Sequence, residues 1–228
     1  MILITTYYKT LNESRNNEIN KCLIKNFENK YIKKIYLLND KIYNIDFIDN
    51  YESKIIQVVI SNDINYKLKY NDALYFINKY LVNEICILSN SDIYFNETLE
   101  LINDKNIENN FFALLRYDED ENGNLSLFKR HDVPRSDSQD CWIFKSPLKV
   151  DLNKLNFSLG TLGCDSVFAF IVNNSGIMVS NPSYDIVSIH VHNTEFRTYS
   201  YINRIHGKYC MIPICKLNEY NKVTIIDY

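Results

Sequence analysis

Asn90 and Asp92 carry oxygen-bearing side chains two residues apart, where an apolar run of the chain ends. The run, residues 85–88, predicts a buried strand, and alternate residues of a strand face the same side. Both side chains can therefore point at one ligand, and their oxygens suit a hard divalent cation of the kind that binds a diphosphate. The same residues, with Ser91 between them, are also typical of a strand-to-turn junction, because they hydrogen-bond the local backbone.

Arg15 lies in the first turns of a helix that follows the first strand-like run, residues 2–6. A guanidinium there can fork onto phosphate oxygens, and the helix N-terminus adds partial positive charge. The alternative is a solvated arginine on the helix face, paired with Glu18 three residues later.

Asp165 ends a short segment with two glycines three residues apart, Gly160 and Gly163. Its position at a predicted helix start suits a rigidly held general base that takes a proton from a sugar hydroxyl. An acidic residue at this position is equally typical of an N-terminal helix cap.

His190 and His192 share one face of a predicted strand and could place one imidazole on a metal ion. Arg197 follows closely and favours an anionic ligand. A pair of histidines in an exposed strand can also have no function.

Asp140 and Trp142 lie beside Gln139 in residues 138–144, which include the chain's single tryptophan. An aromatic ring can stack on the apolar face of a sugar while neighbouring polar groups bind its hydroxyls. The alternative is a tryptophan in the core of a strand.

The elements that must position these residues alternate between strands and helices in the first half of the chain. Strands are predicted at residues 2–6, 32–38, 54–60 and 84–88, with helices at 11–29 and 71–81. This alternation predicts a mostly parallel sheet covered by helices. Ligands of such sheets bind beyond the carboxyl ends of the strands, so Thr5, Thr6, Tyr7 and Tyr8 should lie near Asn90 and Asp92.

The second half predicts a strand at residues 111–117, an Asn-Gly turn within 118–124 and a return strand at 125–129. The segment 138–144 with the single tryptophan, a helix at 163–174 and strands at 177–180 and 186–192 follow. The chain contains only five Gly and four Pro and no linker-like segment. We therefore expect one domain over residues 1–228, with a nucleotide-binding half at 1–95 and an acceptor-binding half at 96–228.

Composition limits the possible partners. The formal net charge of -3 gives no global positive field for nucleic acid. The six cysteines have no zinc-type spacing, and we expect free, buried thiols in a reducing compartment. We find no signal peptide and no run long enough to span a membrane, so a cytoplasmic location is expected, or the host cytoplasm if the chain is viral.

In their order along the chain, these motifs resemble those of GT-A-type nucleotide-sugar glycosyltransferases, including predicted glycosyltransferases of bacteria and large viruses. The resemblance rests on Thr5 to Tyr7 with Arg15, on 90–92, on 163–165 and on the late histidines. It covers roughly residues 2–199. It implies a GT-A-like α/β fold: a mixed, mostly parallel central sheet flanked by helices.

The resemblance also implies transfer of a sugar from a nucleoside diphosphate (UDP, GDP or dTDP) to a glycan or other hydroxyl acceptor. Asp92 would bind Mn²⁺ or Mg²⁺, with His190 or His192 as a further ligand and Asn90 on the metal or the ribose. Asp165 would be the base of an inverting reaction. The implied nucleotide-sugar contacts are Thr5, Thr6, Tyr7, Arg15, Ser91 and Arg197, and the implied acceptor contacts are Asp140 and Trp142. The departure is Asn90, where the family often has Asp.

Two other functions fit a similar sheet. A sugar nucleotidyltransferase normally needs a glycine-rich loop after the first strand, and residues 7–17 contain no glycine. A non-catalytic nucleotide- or sugar-binding module would explain the neutral Asn90.

Overall fold

The computed structural model describes residues 1–63, 66–191, 201–219 and 221–227. Its helices are α1 (Glu13–Glu28), α2 (Tyr70–Tyr80), α3 (Asp104–Ile107) and α4 (Cys164–Asn174). Its strands are β1 (Ile2–Thr5), β2 (Lys34–Asn39), β3 (Ile55–Val59), β4 (Ile85–Ser89), β5 (Ile93–Phe95), β6 (Asn110–Leu114), β7 (Tyr117–Glu119), β8 (Leu125–Leu127), β9 (Lys129–Arg130), β10 (Val133–Pro134), β11 (Cys141–Lys145), β12 (Met178–Ser180), β13 (Ser188–His190), β14 (Lys208–Met211) and β15 (Thr224–Asp227). Short 3-10 helices lie at Tyr51–Ser53, Glu97–Leu101, Leu152–Leu155 and Tyr201–Asn203.

The central sheet has seven strands in the order β12-β6-β11-β4-β1-β2-β3. Strand β11 is antiparallel to both of its neighbours, and the other pairings are parallel. The predicted fold class, a mixed and mostly parallel sheet flanked by helices in one domain, is confirmed. The assignment of its two halves to nucleotide and acceptor stays a prediction.

Helices cover both faces of this sheet because each has one apolar side. Ile19 and Leu23 of α1 pack in one core cluster. Leu74 of α2 and Phe168 of α4 pack in the other, on the opposite face. The side chain of Asn12 accepts a hydrogen bond from the Arg15 backbone and starts α1 at Glu13, two residues later than predicted.

A second sheet has four strands in the order β5-β13-β7-β8. The predicted strand at 111–117 is divided between the two sheets: β6 ends at Leu114 and β7 begins at Tyr117. Strands β7 and β8 form the predicted hairpin, with Gly123 at a positive φ of 81° in its turn. Strand β13 pairs His190 with Ile93 on one side and with Asp118 on the other.

All six cysteines are buried and free, as predicted. In the part of the chain that the structure describes, no helix has the length and hydrophobicity required to cross a membrane.

Candidate functional site

A cleft of about 1090 Å³ opens at the carboxyl edge of the central sheet. Its walls come from the tips of β1, β2 and β4, from the start of β11 and from the loop before α4. The lining includes five aspartates, Asp40, Asp92, Asp137, Asp140 and Asp165, and a larger set of basic side chains: Lys9, Arg15, Lys67, Arg116, Arg130, Arg135 and Arg204. The cleft thus carries a local excess of positive charge in a chain whose net charge is negative.

The tip of β1 is held by polar contacts to its neighbouring strands. Thr5 is buried, and its hydroxyl donates to the Ser89 carbonyl at 2.9 Å. Tyr7 is also buried; its backbone N–H donates to Asn39 at 2.8 Å. Of the predicted nucleotide contacts, Thr6, Tyr7 and Ser91 line the cleft, whereas Thr5 lies beneath it.

Asp92 is bound by Arg15. Nη2 of Arg15 lies 2.5 Å from Oδ2 of Asp92, and Nη1 lies 2.8 Å from Glu18. All three residues are buried. Arg15 therefore lines the cleft and pairs with Glu18, but as a buried group rather than a solvated one, and its contact with a phosphate stays a prediction.

His190 bridges two carboxylates. Its Nε2 lies 3.4 Å from Asp92, and its Nδ1 lies 2.9 Å from Asp118. Burial alone would lower the pKa of His190, but the two carboxylates outweigh burial and raise it to about 9. Burial would raise the pKa of Asp118, and the contacts to His190 and Arg116 reverse this and lower it.

Arg116 is a cleft residue that the sequence interpretation missed. Its Nε donates to Asp118 at 2.8 Å and its Nη1 to Asp140 at 3.0 Å. Its guanidinium stacks over the Phe128 ring, 4.0 Å from the ring centroid. The available signal was its position directly after the buried strand that ends at Leu114, which is where ligand-binding residues of α/β sheets occur.

Asn90 joins this arrangement through Asp140. The Asn90 side chain donates to Oδ1 of Asp140 at 3.1 Å, and its backbone N–H donates to the Asp140 carbonyl at 3.1 Å. A continuous set of contacts therefore crosses the strand ends. We call it the strand-tip network; its members are Glu18, Arg15, Asp92, His190, Asp118, Arg116, Asp140 and Asn90.

The strand-tip network does not fit the predicted Mn²⁺ or Mg²⁺ site. Oδ2 of Asp92 and both nitrogens of His190 already contact protein groups. Among the described residues, no three or more His, Cys, Asp or Glu side chains are grouped to hold a metal ion. Metal dependence itself stays a prediction.

Asp165 lies in the first turn of α4 and lines the same cleft. Its Oδ2 accepts a hydrogen bond from the Gln139 backbone at 3.0 Å, and no Lys, Arg or His of the described residues forms an ion pair with it. Burial raises the pKa of Asp165 to about 7, against the opposing effect of the Gln139 hydrogen bond; the nearby Asp140 adds to the increase. The carboxylate is only partly exposed and lines the cleft.

Gly163 fixes the approach of the chain to Asp165. It has a positive φ of 83°, and a Cβ there would lie 3.0 Å from the Tyr209 hydroxyl and 3.1 Å from the Ile205 carbonyl oxygen. A side chain at this position would be strained and crowded.

Trp142 belongs to the core. It is 1% exposed, and its ring makes edge contacts with Tyr70 and Phe168 at centroid distances of 5.2 and 5.4 Å. The ring faces are thus packed against protein, which corrects the expectation that they would stack on a sugar; the core alternative describes the residue. Asp140 stays at the cleft, bonded to Arg116 and Asn90.

Two predicted site residues, His192 and Arg197, lie outside the described residues. The structure brings together Asn90, Asp92, Arg15, His190 and Asp140. It adds Arg116, Phe128 and Arg135, which the motifs did not identify.

No protein-family model matches the chain, and no curated protein matches it. Among solved structures, S. aureus TarS 1–349 in complex with UDP-GlcNAc is 13% identical, with a TM-score of 0.47 over 87% of this chain and 57% of that chain. A second structure of S. aureus TarS 1–349 is 10% identical, with a TM-score of 0.42 over 87% of this chain and 59% of that one. This chain therefore spans a little over half of the TarS chains.

The 4-diphosphocytidyl-2C-methyl-D-erythritol synthase of Anaerococcus prevotii is 14% identical, with a TM-score of 0.45 over 89% of this chain and 93% of that chain.

Proposed function

We propose that the protein is a glycosyltransferase that moves a sugar from a nucleoside-diphosphate sugar to a hydroxyl group of a glycan or other acceptor. The observation that carries the proposal is one cleft that combines an excess of basic side chains with a carboxylate, Asp165, that forms no ion pair with the described residues. The basic groups suit a diphosphate, and the carboxylate suits the removal of a proton from a hydroxyl. A cytoplasmic location is part of the proposal.

The donor nucleoside fits the tips of β1 and β2. Thr6, Asp40 and Tyr43 line that end of the cleft, and Tyr43 packs against Tyr7 with ring centroids 5.3 Å apart. These rings and polar groups offer an aromatic surface to a base and an acceptor oxygen to a ribose hydroxyl. UDP, GDP and dTDP are the donors to test.

Asp165 is proposed as the general base. It takes the proton of the acceptor hydroxyl, and the hydroxyl oxygen attacks the anomeric carbon of the sugar. The bond from that carbon to the diphosphate oxygen breaks, and its electron pair leaves with the nucleoside diphosphate. Attack from the face opposite the leaving group inverts the anomeric configuration. The pKa near 7 suits this role, because a base is most effective when its pKa is close to the working pH.

The test is to incubate the full chain with a panel of nucleotide sugars and hydroxyl acceptors, with and without Mn²⁺ or Mg²⁺. The proposal predicts a glycosylated product with stoichiometric release of nucleoside diphosphate. It also predicts that Asp165→Asn lowers the rate of product formation about 100-fold or more. The matched change Asp49→Asn, on an exposed residue away from the cleft, should leave the rate unchanged. Pyrophosphate as the released product would favour the nucleotidyltransferase, and tight nucleotide binding without any transfer would favour the binding module.

A further inference from the structure

We propose, on the basis of the function above, that Arg116 rather than a divalent cation binds and stabilises the leaving diphosphate, and that Asn90 and Asp92 position this guanidinium. The proposal rests on the contacts of the strand-tip network, in which Asn90, Asp92 and His190, the predicted metal ligands among the described residues, are each tied to a protein group.

Asp92 is engaged by a buried cation. A divalent ion would need its oxygen ligand within about 2.0–2.6 Å. Nη2 of Arg15 already lies 2.5 Å from Oδ2 of Asp92, so an ion on that oxygen would have to displace it. Arg15 is 6% exposed and is also bound to Glu18, which leaves the guanidinium little room to withdraw.

Asn90 is fixed in the same way by two hydrogen bonds to Asp140, one from its side chain and one from its backbone. Asp140 in turn accepts from Nη1 of Arg116 at 3.0 Å. From the other direction, Asp92 leads through His190 to Asp118, which accepts from Nε of Arg116 at 2.8 Å. Asn90 and Asp92 are therefore both connected to the guanidinium of Arg116.

Arg116 has the geometry of a preorganised anion contact. Two of its three guanidinium nitrogens are held by carboxylates, and Phe128 covers one face of the plane. For Nη2, the described residues offer no hydrogen-bond partner, and the side chain is 17% exposed and lines the cleft. A fixed guanidinium loses little side-chain entropy when it binds a phosphate oxygen.

Arg130 supplies a second positive charge nearby. It lies two residues after Phe128, is exposed, lines the cleft, and forms no ion pair with the described residues. Arg116 thus offers a positioned N–H donor and Arg130 a positive charge to the departing diphosphate.

The experiment is a calorimetric titration of the full chain with UDP, GDP and dTDP, once in EDTA and once in Mn²⁺. The proposal predicts dissociation constants that agree within about twofold in the two buffers, because no metal bridges the nucleotide to the protein. Arg116→Gln should weaken binding at least about 10-fold, since a hydrogen bond to a charged group is lost, and Arg116→Lys should retain part of it. The matched control Lys145→Gln, on a partly exposed residue outside the cleft, should bind like the wild type.

A second readout follows Mn²⁺ itself by electron paramagnetic resonance on the nucleotide-free chain. The proposal predicts that Asp92 binds no Mn²⁺. The Mn²⁺ spectrum should therefore be the same with the wild type and with Asp92→Asn. Binding that weakens more than about 10-fold in EDTA and returns with Mn²⁺ would overturn the proposal, and this comparison needs no variant. That outcome would leave the glycosyltransferase proposal intact. If none of the nucleoside diphosphates binds in either buffer, both the glycosyltransferase proposal and this inference are wrong. Circular dichroism checks that the Arg116 variants are folded.

Discussion

Asp118 and Asp165 are carboxylates in opposite electrostatic environments. In the strand-tip network, Asp118 contacts His190 and Arg116, and its pKa is lowered. In the first turn of α4, Asp165 accepts a hydrogen bond from the Gln139 backbone, and burial raises its pKa to about 7. Neutralised carboxylates hold neighbouring side chains in place, whereas a carboxylate without a cationic partner can exchange a proton near neutral pH. The difference separates positioning groups from the proposed base.

Removing Asp92 should have the largest effect on stability. Asp92→Ala leaves the buried Arg15 and His190 without their shared carboxylate, and we expect a loss of about 3–5 kcal/mol in the free energy of unfolding. The matched change Asp104→Ala breaks an exposed ion pair with Lys145 and should cost about 1 kcal/mol or less. Urea denaturation of both variants measures the difference. Equal losses of unfolding free energy in the two variants would mean that the ion pairs of Asp92 do not stabilise the strand-tip network.

Asp165→Asn should lower the transfer rate by about 100-fold or more, which is the usual contribution of a general base. This factor corresponds to an increase of about 2.7 kcal/mol in the activation free energy. Nucleotide affinity should stay within about twofold, because the base acts on the acceptor. Initial rates and calorimetry on the same preparations test this. A rate that falls only because nucleotide binding is lost would contradict the role of Asp165.

The same substitution should change stability with pH in a known direction. The pKa of Asp165 rises on folding from 3.8 to about 7, so the folded state binds its proton more tightly and loses stability as the pH rises between these values. Asn does not ionise. Thermal melts should therefore show the variant gaining stability relative to the wild type from pH 4 to pH 7, with no further change above. A constant difference across that range would show that the carboxylate is not destabilised by burial.

Trp142 offers a smaller test of how the cleft relates to the core beneath it. Trp142→Phe removes packing against Tyr70 and Phe168 and should cost about 1–2 kcal/mol of stability. Because its ring faces are covered by protein, the KM for the acceptor should change less than about twofold. A large increase in KM with unchanged stability would restore Trp142 as an acceptor contact.

Much of the fold follows from local patterns that the sequence displays. Apolar runs predicted the parallel strands, the Asn-Gly turn predicted the β7–β8 hairpin, and strand ends predicted the edge where Asn90 and Asp92 lie. The division of residues 111–117 between two sheets was not predictable, because the crossing at Leu115 and Arg116 depends on tertiary pairing.

The partners of the site residues were equally inaccessible from sequence. The Arg15–Asp92 contact joins residues 77 positions apart, and Arg116–Asp140 joins residues 24 apart. Spacing along the chain identifies side chains that can share a ligand. It does not reveal that a side chain from a distant part of the chain already forms hydrogen bonds or ion pairs with them. Trp142 illustrates the same limit: its residue type suits both a sugar platform and a core, and only burial distinguishes the two.

The pH dependence of kcat/KM tests the account most directly, because it reports the ionisation of the free enzyme's essential groups. The account predicts a rising limb with a midpoint near pH 7, where Asp165 loses its proton, and activity that falls about tenfold for each pH unit below it. The residual rate of Asp165→Asn should lack this limb. Wild-type activity that stays constant down to pH 5 would contradict Asp165 as the base.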